Sequence, residues 1–295
     1  MPRMTLALFT ALLMTFAASA HADPGGRTTL EETLAPASGS GYVGLRSRAG
    51  ETYVVRRGGA AKAGPRRAAE RRSLLSFVQL TDPQIADEMS PARVDFADPA
   101  GGELKSSWRP QEALGLQVFD SVVRNVNANR SSRVKQGNGK RARTGFAITT
   151  GDLADNQQLN ETRWFKTVLD GGTVDPFSGK PITTQCGTVP ADTLARINAG
   201  VAARAYTGVA DYDDYRDAPA DRFAGFYDPD EAAPTSGPYS AFPRYPGLLE
   251  AAQRPFRAAG LDMPWYISRG NHDGLIQGNA PASTDLFRAI AIGCL

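Results

Sequence analysis

Gly145-Phe146-Ala147-Ile148-Thr149-Thr150-Gly151-Asp152-Leu153-Ala154-Asp155-Asn156 joins a strand pattern directly to a polar loop. Its apolar and β-branched first half reads as a strand, and a glycine then breaks the chain into carboxylate and amide side chains. The same event occurs twice more. Leu74-Leu75-Ser76-Phe77-Val78-Gln79-Leu80 reads as a buried strand running into Thr81-Asp82-Pro83-Gln84, and Trp265-Tyr266-Ile267-Ser268 runs into Gly270-Asn271-His272-Asp273.

Helical patterns separate these strands. From Pro110 to Asn127, a proline at the start precedes a stripe of Leu116, Phe119, Val123 and Val126, broadened by Leu114, Val118 and Val122. Asn156 is the expected cap of the next helix, with Trp164, Phe165, Val168 and Leu169 as packing side chains and Gly171-Gly172 as its stop. Alternation of strand, polar motif and helix predicts an α/β domain with parallel strands, in which a site forms outside the carboxyl ends of the strands.

Residues 171–263 form a long insert rich in Pro, Gly, Asp and Tyr, with a short helix expected over Thr193 to Arg204. Its aspartates around Asp211 to Asp214 lack the spacing of a calcium loop and read as solvated. Upstream, residues 23–73 read as a basic, partly disordered leader with one β-like run at Thr52 to Val55. Its nine basic residues from Arg46 to Arg72 face only Glu51 and Glu70. Residues 1–22 have the layout of a secretory signal peptide: Arg3, an uncharged apolar run from Met4 to Ala18, then small residues. A secreted or envelope location follows, with no transmembrane span after cleavage. In that setting Cys186 and Cys294 either pair or stay apart, because sequence does not give their geometry. The net charge of +2 gives no indication of specific nucleic-acid binding, and 41% hydrophobic with 22% charged residues is ordinary globular composition.

Carboxylate and amide oxygens delivered from successive strand ends suit two-metal hydrolysis of a phosphoester. Two divalent cations can lower the pKa of water and neutralise the phosphoryl oxygens. Asp82 would hold the first ion, Asp152 would bridge both, and Asn271 would offer an amide oxygen to the second. His272 would stabilise charge or protonate the leaving oxygen, with Asp155 fixing its tautomer.

The ordered set Asp82-Pro83-Gln84, Gly151-Asp152-Leu153-Ala154-Asp155 and Gly270-Asn271-His272-Asp273 resembles the first three motif blocks of the calcineurin-like metallophosphoesterase superfamily, in particular exported bacterial members with a large insert. The resemblance covers Leu74 onward and implies a partial metallophosphoesterase domain at 74–295. The implied fold is the N-terminal portion of an αββα sandwich with mixed β-sheets. It also implies metal ligands at Asp82, Asp152 and Asn271 and a catalytic His272 supported by Asp155.

Two departures alter the expectation. Gln84 stands where the family usually has histidine and offers a neutral amide oxygen, so manganese, iron(II), magnesium or calcium is favoured over zinc. Family members also carry later histidines, whereas the only histidines here are His21 and His272. The chain is therefore expected to be a truncated enzyme that binds metal weakly and leaves apolar surface exposed. The alternative is a catalytically inactive exported protein that binds a phosphate ligand or a partner. The substrate and the oligomeric state are not legible in the sequence.

Overall fold

A computed structural model describes residues 28–29, 31–39, 43–52, 66–93, 110–181, 190–205, 229–230, 243–278, 283–285 and 288–289. In chain order the strands are β1 (Glu32–Pro36), β2 (Leu45–Ala49), β3 (Val78–Leu80), β4 (Ser131–Lys135), β5 (Arg141–Arg143), β6 (Ala147–Thr150), β7 (Gly172–Val174), β8 (Phe256–Ala258) and β9 (Trp265–Ser268). The helices are α1 (Arg67–Glu70), α2 (Gly115–Ala128), α3 (Leu159–Asp170), α4 (Ala191–Ala203) and α5 (Leu248–Ala252).

The three motif-bearing strands form one parallel sheet in the order β3-β6-β9. Within β6 the alternation is clear: Ala147 and Thr149 are fully buried, while Ile148 is only half-buried. The buried face packs against α2 and α3, whose Leu116, Phe119, Val123, Trp164, Phe165, Val168 and Leu169 form the core with Leu80. Each such side chain contributes about 1.5–3 kcal/mol on burial. The opposite face carries an aromatic row. Phe77 stacks on Phe146 at 5.3 Å between ring centroids, and Phe146 meets Tyr266 edge-on at 5.7 Å. Phe77 is 49% and Tyr266 59% exposed, so apolar surface is open on this side.

The first strand is shorter than the sequence reading. Leu74 and Leu75 are exposed and outside β3, because the neighbouring strand β6 begins only at Ala147 and leaves them no parallel partner. The segment Pro110–Leu114 is a tight 3-10 turn, with the α-helix starting at Gly115. The stripe Leu116, Phe119 and Val123 is buried as expected. Val118 and Val122 are instead exposed, since α2 presents a single face to the sheet and α3. Asn156 does not cap α3. Gln158 does, and its backbone N–H donates to Glu161 Oε2 at 3.0 Å, the reciprocal half of a capping box. Gly171 stops the helix as read, with a left-handed φ of 84°.

The insert has a closed base. Strands β7 and β8, at its two ends, pair antiparallel from Gly172↔Ala258 to Val174↔Phe256, and Leu261 N–H then donates to Leu169 O at 2.8 Å. Polar positions of α2 hold the returning chain: Ala259 N–H donates to Asp120 Oδ1 at 2.8 Å, and Asn127 Nδ2 donates to Gly260 O at 2.7 Å. The short helix expected near Thr193 is α4.

Within the leader, β1 and β2 make an antiparallel hairpin that the sequence reading did not anticipate. Glu31, just before it, accepts the Thr28 backbone N–H, which lowers its pKa with help from the ion pair it makes with Arg133 of β4. Residues 1–22, Tyr53 to Val55, Asp211 to Asp214, Cys186 and Cys294 lie outside the described residues. Among the described residues no helix is long and apolar enough to cross a membrane.

Candidate metal-dependent active site

Strand register brings the motifs together. Leu80 pairs with Thr149, and Thr149 with Ile267. Continued past the strand ends, that register sets Asp82 beside Gly151 and Asp152 beside Gly270. The loops stay knitted accordingly: Asp82 N–H donates to Gly151 O at 3.2 Å, Gln84 N–H to Asp152 O at 2.9 Å, and Ile85 N–H to Leu153 O at 2.9 Å. Asp155 N–H returns to Ile85 O at 3.0 Å.

These loops turn sharply. Asp82, Gln84 and Asp152 have φ of 53°, 41° and 50°, a left-handed conformation that costs a non-glycine residue about 1–3 kcal/mol and clusters at functional sites. Gly151, at φ 107°, and Gly270 allow the two loops to touch. A Cβ on Gly151 would stand 2.7 Å from Gly270 Cα, and one on Gly270 would meet Asp152 N at 2.6 Å. Only glycines fit this crossing.

The third motif then docks onto the second. His272 N–H donates to Asp152 Oδ1 at 2.8 Å, which leaves Oδ2 of this nearly buried carboxylate for another partner. His272 Nδ1 lies 3.0 Å from Asp155 Oδ1. A carboxylate only accepts, so Nδ1 carries the proton in that bond, and Nε2 makes no hydrogen bond among the described residues. Asp155 is fully buried. Its Oδ2 accepts from Asn156 Nδ2 at 3.3 Å and Gln277 Nε2 at 3.2 Å.

The structure therefore joins Asp152, Asp155 and His272 by direct hydrogen bonds. It sets Asp82 and Gln84 beside them through backbone bonds. Asn271 is exposed next to His272, and its side chain makes no hydrogen bond among the described residues. Asp82 is also exposed, and accepts from its neighbour Thr81 Oγ1. Asp82 and Gln84 line a cleft of about 340 Å³ that continues over Pro83, Val118 and Val122.

A divalent cation fits the donor chemistry of this edge: two carboxylates, Asp82 and Asp152, with amide oxygens from Gln84 and Asn271. Among the described residues no three His, Cys, Asp or Glu side chains gather into a ligand cluster. The fit therefore rests on hard oxygen donors, including neutral ones, which suits manganese, magnesium, calcium or iron(II) better than zinc.

Three supporting residues had no role in the sequence reading. Asp273 staples two loops: Oδ1 accepts from Leu153 N–H at 2.9 Å and Ala154 N–H at 3.1 Å, and Oδ2 from Gly270 N–H at 2.8 Å. Glu161, fully buried, accepts from the backbone N–H groups of Asp87, Asn156 and Gln158 and from Gln158 Nε2, each at 3.0 Å. Burial pushes its carboxyl up to about 7, although these N–H donors favour the anion. The sequence did hold a signal for Glu161, three residues after a polar helix cap. Arg93, fully buried, had none. Comparison with protein-family models, curated proteins and solved structures returned no match for this chain.

Proposed function

We propose that this chain carries part of the active site of a metal-dependent phosphoester hydrolase, within a domain whose parallel sheet belongs to an αββα sandwich. The observation that carries the proposal is the dyad of His272 and the buried Asp155, set beside Asp152 at the exits of adjacent parallel strands.

Asp82 and Asp152 would hold two divalent cations with Gln84 and Asn271. When bound, such ions neutralise phosphoryl charge and activate water. The chain's own residues do the rest. Asp152 keeps one oxygen on the His272 backbone N–H, which ties the carboxylate to the loop that carries the imidazole. Asp155 holds Nδ1 and aims Nε2 toward the leaving oxygen, where the protonated ring donates a proton as the bond breaks. Gly151 and Gly270 bring the two loops close enough for both contacts.

With Asp82 and Asp152 as the proposed charged ligands among the described residues, cation binding by this chain is weak and turnover slow. That small donor set also favours a second reading, an exported binder of a phosphate ligand or partner. Titration with manganese(II) or iron(II) alongside a chromogenic phosphodiester assay separates the two. Slow, cation-dependent turnover that is lost in Asp152→Asn supports the hydrolase. Phosphate binding with no cation-dependent turnover supports the binder, and absence of cation binding overturns the hydrolase proposal.

A further inference from the structure

We propose that Arg93 is a positioning residue for the His272–Asp155 dyad, holding the Asp155 carboxylate turned so that Oδ1 receives the imidazole Nδ1–H. A fully buried arginine has to be paired. The partners of Arg93 are specific. From the 3-10 turn Pro91–Arg93, its Nη1 lies 2.8 Å from Glu112 Oε2, 3.4 Å from Glu88 Oε1 and 3.9 Å from Asp155 Oδ2. The last distance is too long for a hydrogen bond, so Arg93 acts on Asp155 through its charge. Both side chains are 0% exposed, so water screens that attraction little.

The geometry divides the two carboxylate oxygens of Asp155. His272 is on Oδ1, while Arg93 and the amides of Asn156 and Gln277 are on Oδ2. At 3.3 and 3.2 Å those amide bonds are long, and the Arg93 guanidinium adds a buried positive charge on the same oxygen. Take the guanidinium away and the charge that draws Oδ2 is lost, which eases rotation of the carboxylate. Nδ1 of His272 then faces a less firmly held acceptor, and the imidazole can move its proton to Nε2. Glu112, in the turn Pro110–Leu114, and Glu88 hold the guanidinium from its other side. The chain thus reaches the site from a segment outside all three motifs.

This role rests on the proposed hydrolase only for its consequence, an Nε2 aimed at the leaving oxygen. Its test is independent of turnover. In a His21→Gln background, His272 is the sole imidazole of the chain, so nitrogen-15 spectra of the ring at alkaline pH report one tautomer. The wild-type ring is expected as the Nδ1–H form. Arg93→Met alone strands the carboxylates of Glu88, Glu112 and Asp155 and risks unfolding, so the informative variant is Arg93→Met with Glu88→Gln and Glu112→Gln, against Glu88→Gln with Glu112→Gln as control. In the triple variant the Nδ1–H population is expected to fall about twofold or more as the ring's acceptor is less firmly held, while the double variant keeps it. A folded triple variant that retains the pure Nδ1–H form overturns the inference, as does loss of that form in the double variant. Failure of cation binding, by contrast, would remove the hydrolase proposal and leave the tautomer result standing.

Discussion

Gly270→Ala tests the loop crossing on which the site depends. The new methyl would meet Asp152 N at 2.6 Å and Asp152 Cγ at 2.8 Å. Gly270 is not among the residues with positive φ, so the penalty is one of contact and not of backbone conformation. The atoms it meets are the backbone and branch point of a nearly buried residue, which cannot swing aside as a surface side chain would. Overpacking of this kind costs about 1–3 kcal/mol. Moving Asp152 also breaks its bond from His272 N–H, worth about 1.5–3 kcal/mol for a charged acceptor. Allowing for coupling between the two effects, the expected loss is about 3–5 kcal/mol. In urea this is a midpoint shift of about 1–2 M at an ordinary slope. Gly115→Ala is the control: a Cβ there meets nothing within 4 Å, at the first residue of α2, and the change should be neutral or stabilising by less than about 1 kcal/mol. A Gly270→Ala midpoint indistinguishable from wild type would refute the crossing geometry.

Asp273→Ala should expose the same junction by removing the acceptor of three loop N–H groups, with a loss of about 3 kcal/mol or more and faster hydrogen exchange at Leu153, Ala154 and Gly270. Glu161 sets a pH dependence. Its folded-state pKa is raised from 4.5 to about 7, so the folded state binds the extra proton. Its contribution is therefore full below about pH 4.5 and is lost as pH rises through 7. The expected fall is about 3 kcal/mol across that window, read as a declining unfolding midpoint, and Glu161→Gln should flatten the slope. In a chain that turns over, His272→Ala should lower the rate about 100-fold with cation binding retained. Loss of the cation would instead make the imidazole a ligand.

The sequence was most legible where local chemistry and tertiary packing agree. Trp265 to Ser268 forms the strand that was read, and Trp164, Phe165, Val168 and Leu169 are buried as their spacing implied. It was least legible where a partner elsewhere decides the outcome. Leu74 and Leu75 look like strand but have no neighbour to pair with, and Asn156 looks like a cap but spends its oxygen on Gln277 N–H at 2.8 Å. Gln158 takes over the capping, and Glu161 completes the box because its carboxylate reaches three backbone N–H groups at once. At the site, the motif residues could be named from order and type alone. The residues that hold them in place could not, because Asp273 and Arg93 act through contacts that no spacing rule encodes. The hairpin of β1 and β2 was hidden for another reason: its strand residues, such as Arg46 and Arg48, are charged and exposed and show no apolar alternation.

Binding of divalent cations where the three motifs meet is tested by paramagnetic broadening with manganese(II). Amide resonances of Asp82, Gln84, Asp152 and Asn271 should broaden first, at weak affinity, and Asp152→Asn should abolish the effect. Broadening centred elsewhere in the chain, or unchanged in Asp152→Asn, would contradict it.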